Sequence, residues 1–205
     1  MTLQNGLIWQ RRAYLWTDTL LTDPKTGDGI GEVSKSIIGL AWPWAAIHSG
    51  EMLPDNPHVL TERLGKMKPR NEAELIEACR SVLQQEHDEE RLGRLLVAYS
   101  YRREGARMFF MSTDETAAGP AFIAHPTVQH ACSHADDEWN GRFTASEFTL
   151  DEMRGFIDAQ LKQPSPTVYG YPTTYGGNLI EVRVTPKGVR PTLRKAIGFQ
   201  SAAKV

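Results

Sequence analysis

The chain has 205 residues, 40% of them hydrophobic and 23% charged, with 23 basic against 25 acidic side chains and a formal charge of -2. That length holds one substantial core, and the near-even charge argues against a surface built for nucleic acid or anionic lipid. No apolar run is long enough to span a bilayer, and the first residues lack the basic flank and apolar core of a secretory signal, so none is expected. Two cysteines, Cys79 and Cys132, make no disulfide framework and fit a reducing compartment, the cytoplasm by expectation.

Residues 1–18 predict a strand, a tight turn at Gln10-Arg11-Arg12 and a second strand, which returns the chain to its own start. Residues 21–32 are a polar connection rich in turn residues (Asp23-Pro24, Gly27-Asp28-Gly29). Val33 to Leu40 alternates as a strand does, Trp42-Pro43-Trp44 breaks it, and Ala45 to His48 leads into Ser49-Gly50. From Pro57 the period becomes helical, with two helices separated near Lys68-Pro69 because proline has no place in a helix interior. Asn71 and Glu74 have the spacing of a capping box. Leu75, Ile76, Cys79, Val82 and Leu83 form one apolar face, on which Cys79 is a packing residue.

Strands are expected at 95–101 and 107–111, joined by a turn at Glu104-Gly105, and a third at 121–124 after Gly119-Pro120. Residues 134–148 are polar and take no assignment. Thr149 with Glu152 caps a helix whose apolar face is Leu150, Met153, Phe156, Ile157 and Leu161. Gly176-Gly177 precedes a strand at 179–184, with Ile180, Val182 and Val184 on one face, and Pro186-Lys187-Gly188 turns it into a last short strand. The basic residues Lys187, Arg190, Arg194, Lys195 and Lys204 read as a solvated tail. With no repeat or linker, residues 1–205 are expected to be one domain: two antiparallel sheets with paired helices on their outer faces would bury every apolar face found.

The chemistry with most potential lies at the start. Removal of Met1 gives Thr2 a free α-amine beside its hydroxyl, and an adjacent base is what activates a hydroxyl nucleophile; the amine titrates near neutrality, at about 7.7–8.0. The hairpin returns Asp18 to Thr2. A separate cluster (His125, His130, Cys132, His134, Asp136 and Asp137) includes an i,i+4 histidine pair and is the alternative candidate, as a metal site.

In the order and spacing of these elements, from Thr2 to Gly188, the chain resembles a proteasome-type β subunit, the threonine peptidase branch of the N-terminal-nucleophile hydrolases. The family's aspartate stands sixteen residues after its threonine, and the same count from Thr2 reaches Asp18. Its lysine is matched by Lys35, with one extra residue in the intervening loop, and its oxyanion glycine by Gly50. Ser133 stands where the family has a Gly-Ser-Gly element, without the flanking glycines, and the aspartate expected before Gly176-Gly177 is missing.

The resemblance implies an α+β, four-layer αββα sandwich of two antiparallel sheets flanked by helices, the Ntn-hydrolase fold. It implies a peptide-bond hydrolase with catalytic residues Thr2, Asp18, Lys35, Gly50 and Ser133, needing no cofactor or metal. The partners implied are peptide or unfolded-protein substrate, further copies of the chain in a homo-oligomeric ring and an ATPase, with no nucleic acid or membrane. The alternative is a proteasome-like assembly or scaffold protein without catalysis.

Overall fold

A computed structural model describes residues 3–22, 29–50, 59–101, 103–132, 135–163, 167–168, 171–172 and 175–197. The chain starts with the expected hairpin, β1 (Gln4–Trp9) and β2 (Arg12–Asp18). Gln10 and Arg11 both take positive φ, 49° and 63°, the left-handed pair that lets a two-residue turn follow the twist of its strands. The register pairs Gln4 with Thr17, so Leu3 stands opposite Asp18.

β3 (Leu20–Thr22) and β4 (Gly29–Glu32) form a small ribbon within the stretch read as a polar connection. The strand expected from Val33 to Leu40 shortens to β5 (Ser36–Ile38), because Lys35 belongs to the link between β4 and β5. Trp42 and Pro43 fall in a bend, and β6 (Trp44–Gly50) runs to the glycine. Helices α1 (Val59–Met67) and α2 (Glu72–Asp88) are separated where expected. Lys68 there has φ 47°, a left-handed residue that stops the first helix before Pro69. Asn71 Oδ1 accepts from Glu74 N at 2.9 Å, whereas the Glu74 carboxylate turns to Arg70 N at 2.9 Å.

β7 (Gly93–Tyr101) and β8 (Gly105–Ser112) make the central hairpin. Residues 121–124, expected as a strand, form a turn in which Phe122 has φ 58° and donates its N–H to Ser112 O at 2.9 Å. β9 (His125–Pro126) and β10 (Gln129–Ala131) follow, and then α3 (Asp137–Ala145), in a segment left without an assignment. Asp136 caps α3 by accepting from Trp139 N at 3.0 Å. α4 (Leu150–Gln160) starts with the expected capping box, Thr149 N donating to Glu152 Oε2 at 2.9 Å. After the ribbon β11 (Thr167–Val168) and β12 (Tyr171–Pro172) come β13 (Asn178–Thr185) and β14 (Gly188–Ala196). The last strand is nine residues long, not short.

One five-stranded antiparallel sheet has the order β10-β1-β2-β13-β14 and the other β5-β6-β7-β8-β9. The sheets face each other through Leu15, Ile47, Leu96, Met108, Phe110, Val182 and Val184. The expected apolar face of α2 packs on the second sheet around Leu95, Val97 and Phe109. That of α4 packs on the first, with Met153, Phe156 and Ile157 against Leu7, Tyr14 and Trp16.

The four-layer αββα sandwich is nevertheless a correction. Among the described residues strand content is 43% against 28% helix, and two further two-stranded ribbons lie outside the main sheets. The helices do not form complete outer layers: α3 buries no residue, and β14 is exposed from Arg190 onward. The fold is β-rich, with helices packed locally on two sheets. Physically, α1 and α3 span only nine residues each, too short to roof a five-stranded sheet at 1.5 Å rise per residue. Among the described residues no helix is long and apolar enough to cross a membrane.

Candidate active site

Asp18 ends β2 and is fully buried, and Lys35 is 2% exposed. Their side chains meet, with Lys35 Nζ donating to Asp18 Oδ1 at 2.9 Å. The same oxygen accepts the backbone N–H of Leu3 at 2.9 Å, and Oδ2 accepts from Gly176 N at 3.4 Å. The carboxylate thus ties together the start of β1, the lysine and the segment before β13. Removal of a carboxylate and an ammonium from water costs several kcal/mol per ion, which only close pairing and further hydrogen bonds offset. Both conditions are met here. Lys35 is fixed from its backbone as well, since His48 N donates to Lys35 O at 3.0 Å.

Gly50 closes β6 with φ 136°. A Cβ there would lie 2.1 Å from Leu92 O, so only glycine fits. It stands two residues beyond His48, the partner of Lys35. Thr2 and Ser133, the other expected members, lie outside the described residues.

Gln4, which the sequence does not single out, is fully buried. Its Nε2 donates to Ile47 O at 3.0 Å and Arg94 O at 3.3 Å, and its Oε1 accepts from Ser49 Oγ at 3.3 Å. One side chain therefore pins β1 to the strand that carries Gly50. The only sequence signal was a polar residue inside an apolar opening strand. Cys132 pairs with the same residue: Gln4 N donates to its Sγ at 3.1 Å, and Cys132 N donates to Gln4 O at 3.1 Å. Burial pushes the Cys132 thiol up to about 11, so it acts as a neutral acceptor.

Three other members of the candidate metal cluster have separate partners. His125 Nε2 contacts Pro120 O at 2.8 Å, Asp136 caps α3, and His130 stacks on Phe110 with ring centroids 4.6 Å apart; His134 lies outside the described residues. Among the described residues no three His, Cys, Asp or Glu side chains converge as metal ligands would.

His130 Nε2 is buried with no hydrogen-bond partner among the described residues. Burial first, and the Arg94 charge second, pull its pKa from 6.5 down to about 4. Between those values the unfolded chain binds the extra proton, so stability is full above the upper one and is lost as pH falls toward the lower. A His130→Phe variant, which keeps the ring on Phe110, is expected to flatten the pH dependence of the urea midpoint in that window. An unchanged slope would assign the acid sensitivity elsewhere.

A cleft of about 870 Å³ opens beside the pair, with Lys35 in its wall. Val33, Ile37, Ile38, Leu40 and Ile180 give it apolar sides, and Glu32 and Lys68 bring charge to it. The arrangement offers a fixed ammonium, an acceptor anchoring the chain start and an apolar recess. No protein-family model matches the chain, and comparison with curated proteins gives no match.

Proposed function

We propose that the protein is a threonine-type N-terminal-nucleophile hydrolase of peptide (amide) bonds, active once processing leaves Thr2 as the first residue. The observation that carries this is the buried Lys35–Asp18 pair whose carboxylate also holds Leu3 N, one peptide bond from Thr2. The Thr2 hydroxyl attacks the scissile carbonyl carbon and its proton passes to the α-amine. The tetrahedral intermediate collapses, the C–N bond breaks, and the leaving amine takes that proton. Water then attacks the resulting ester and releases the acid.

Lys35 lowers the energy of the developing alkoxide, and Asp18 holds the ammonium in place through their 2.9 Å contact. The N–H of Gly50 is the oxyanion donor, an effect of about 2.7–4 kcal/mol for such groups, and Ser133 hydrogen-bonds the nucleophile. The cleft takes an apolar side chain of the substrate. In this proposal copies of the chain close into a ring that confines the site in the cytoplasm, and an ATPase delivers unfolded protein.

Thr2→Ala is expected to lower turnover of short peptides with an apolar residue before the cleaved bond by roughly a thousandfold or more, with the melting midpoint unchanged. Intact mass should show Thr2 at the N-terminus. Unchanged turnover would sink the proposal. A second reading, an assembly protein without catalysis, is favoured by the missing aspartate before Gly176 and the missing glycines around Ser133. Labelling of Thr2 by a threonine-directed electrophile would dispose of it.

A further inference from the structure

A pocket of about 320 Å³ lies on the outer face of the first sheet, away from Lys35, and its lining holds Arg154, Arg183, Arg190 and Arg194 against one acid, Glu181. These residues were read in part as a solvated tail, but Arg190 and Arg194 lie in β14 and Arg183 in β13. Guanidinium stays charged at any working pH.

The one carboxylate is already committed. Glu181 Oε2 accepts from Trp16 Nε1 at 3.0 Å and Arg154 Nη2 at 3.1 Å, and Arg194 Nε approaches it at 3.7 Å. Asp151 reaches Arg154 at 3.4 Å, but its side chain is 94% exposed, so solvent screens it. Arg183 and Arg190 make no ion pair among the described residues.

They also stand directly opposite each other across the two strands. Like charges at directly paired positions destabilise a sheet, and no acid among the described residues bridges these two. Arg154 Nε, moreover, is buried without a hydrogen-bond partner among the described residues. A concave wall with excess positive charge, an unrelieved like-charge pair and an orphan donor lacks one thing: an anion with several oxygens.

We infer that this pocket binds a phosphate-bearing small molecule. Arg183 and Arg190 fork onto its oxygens in the bidentate geometry that guanidinium favours, and Tyr14 and Leu150 line the remaining wall. A single carboxylate would leave much of the excess charge unanswered, whereas a diphosphate group would neutralise it. The site is independent of the proposed hydrolase chemistry.

The test is calorimetric titration of the full chain with inorganic pyrophosphate, citrate serving as the non-phosphate polyanion. Saturable binding of one pyrophosphate per chain is expected, weakened about tenfold or more by Arg183→Gln with Arg190→Gln, since each lost charge-assisted contact approaches a decade in affinity. Lys66→Gln, at an exposed side chain of α1, should leave it unchanged. Removing the facing charges should not lower the melting midpoint of the unliganded protein, and the single Arg190→Gln, at an exposed position, repeats the binding test. No saturable binding, citrate binding as tight as pyrophosphate, or an equal loss in Lys66→Gln would overturn the inference. So would a marked fall in the unliganded melting midpoint, because the arginines would then be structural.

Discussion

Lys35→Met is expected to lower unfolding stability by about 3–5 kcal/mol, the usual cost of leaving a buried charge without its partner. The side chains of Lys35 and Asp18 are 1% and 0% exposed, so water cannot replace the lost ammonium. Methionine fills similar volume, which keeps a cavity from adding to the effect. Asp18→Asn on top of Lys35→Met removes the stranded charge but retains an oxygen for Leu3 N, and should recover much of the loss. Urea unfolding of the four corners of the cycle measures the coupling. Peptide turnover should stay lost in the double variant, because stability returns without the ammonium that the proposed chemistry requires. Simple addition of the two single effects would show that the pair is not the unit described here.

The elements that sequence made legible are those whose cause is local. Helix α4 carries its own capping box and apolar stripe, and α2 its stripe and preceding proline. Residues 121–124 look like a strand because they are apolar, yet Phe122 enters the left-handed region and packs near the α2 cluster instead. Tertiary burial outweighed strand propensity there. Helix α3 escaped notice because it buries no residue fully: its signals were the Asp136 cap and a short pair, Trp139 and Phe143, which packs only partly buried on the α4 cluster. The four-layer sandwich failed for a related reason: periodicity reports which faces are apolar, not whether short helices can cover a whole sheet.

The site divides in the same way. Spacing from Thr2 found Asp18 and Lys35, and the structure puts them in contact. It could not find Gln4, whose three side-chain contacts reach residues 43 to 90 positions away. Nor could it find the arginine pocket. Arg183 faces Arg190 only because a tight turn folds β14 back on β13, and Arg154 arrives from α4. A list of basic residues near the C-terminus therefore looked like a tail when two of them, Arg190 and Arg194, belonged to a concave surface.

The other large effect is expected at Glu86, which is fully buried in α2. Arg63 of α1 reaches it at 2.6 Å, and Arg91 forks onto it at 2.7 and 3.0 Å. Nine residues make a helix too short to persist alone, and α1 buries only Leu60 and Leu64, so the tie through Arg63 is what holds it on α2. Glu86→Ala strands two guanidiniums that are 25% and 10% exposed, and a loss of about 3 kcal/mol is expected, the low end for a broken buried pair. The low end applies because Glu89 contacts both arginines, whose hydrogen bonds (Arg63 first, then Arg91) hold its carboxyl below the ordinary value. Glu89→Ala should cost far less, since that carboxylate sits in solvent. Hydrogen exchange should locate the damage: in Glu86→Ala the amides of α1 should open well before those of β7. Because Thr61, Gly65 and Lys68 line the cleft beside Lys35, loosening α1 should also raise KM for an apolar substrate more than it lowers kcat. Equal costs for the two glutamates would mean that solvent screens both, and α1 would then owe its place to its two leucines alone.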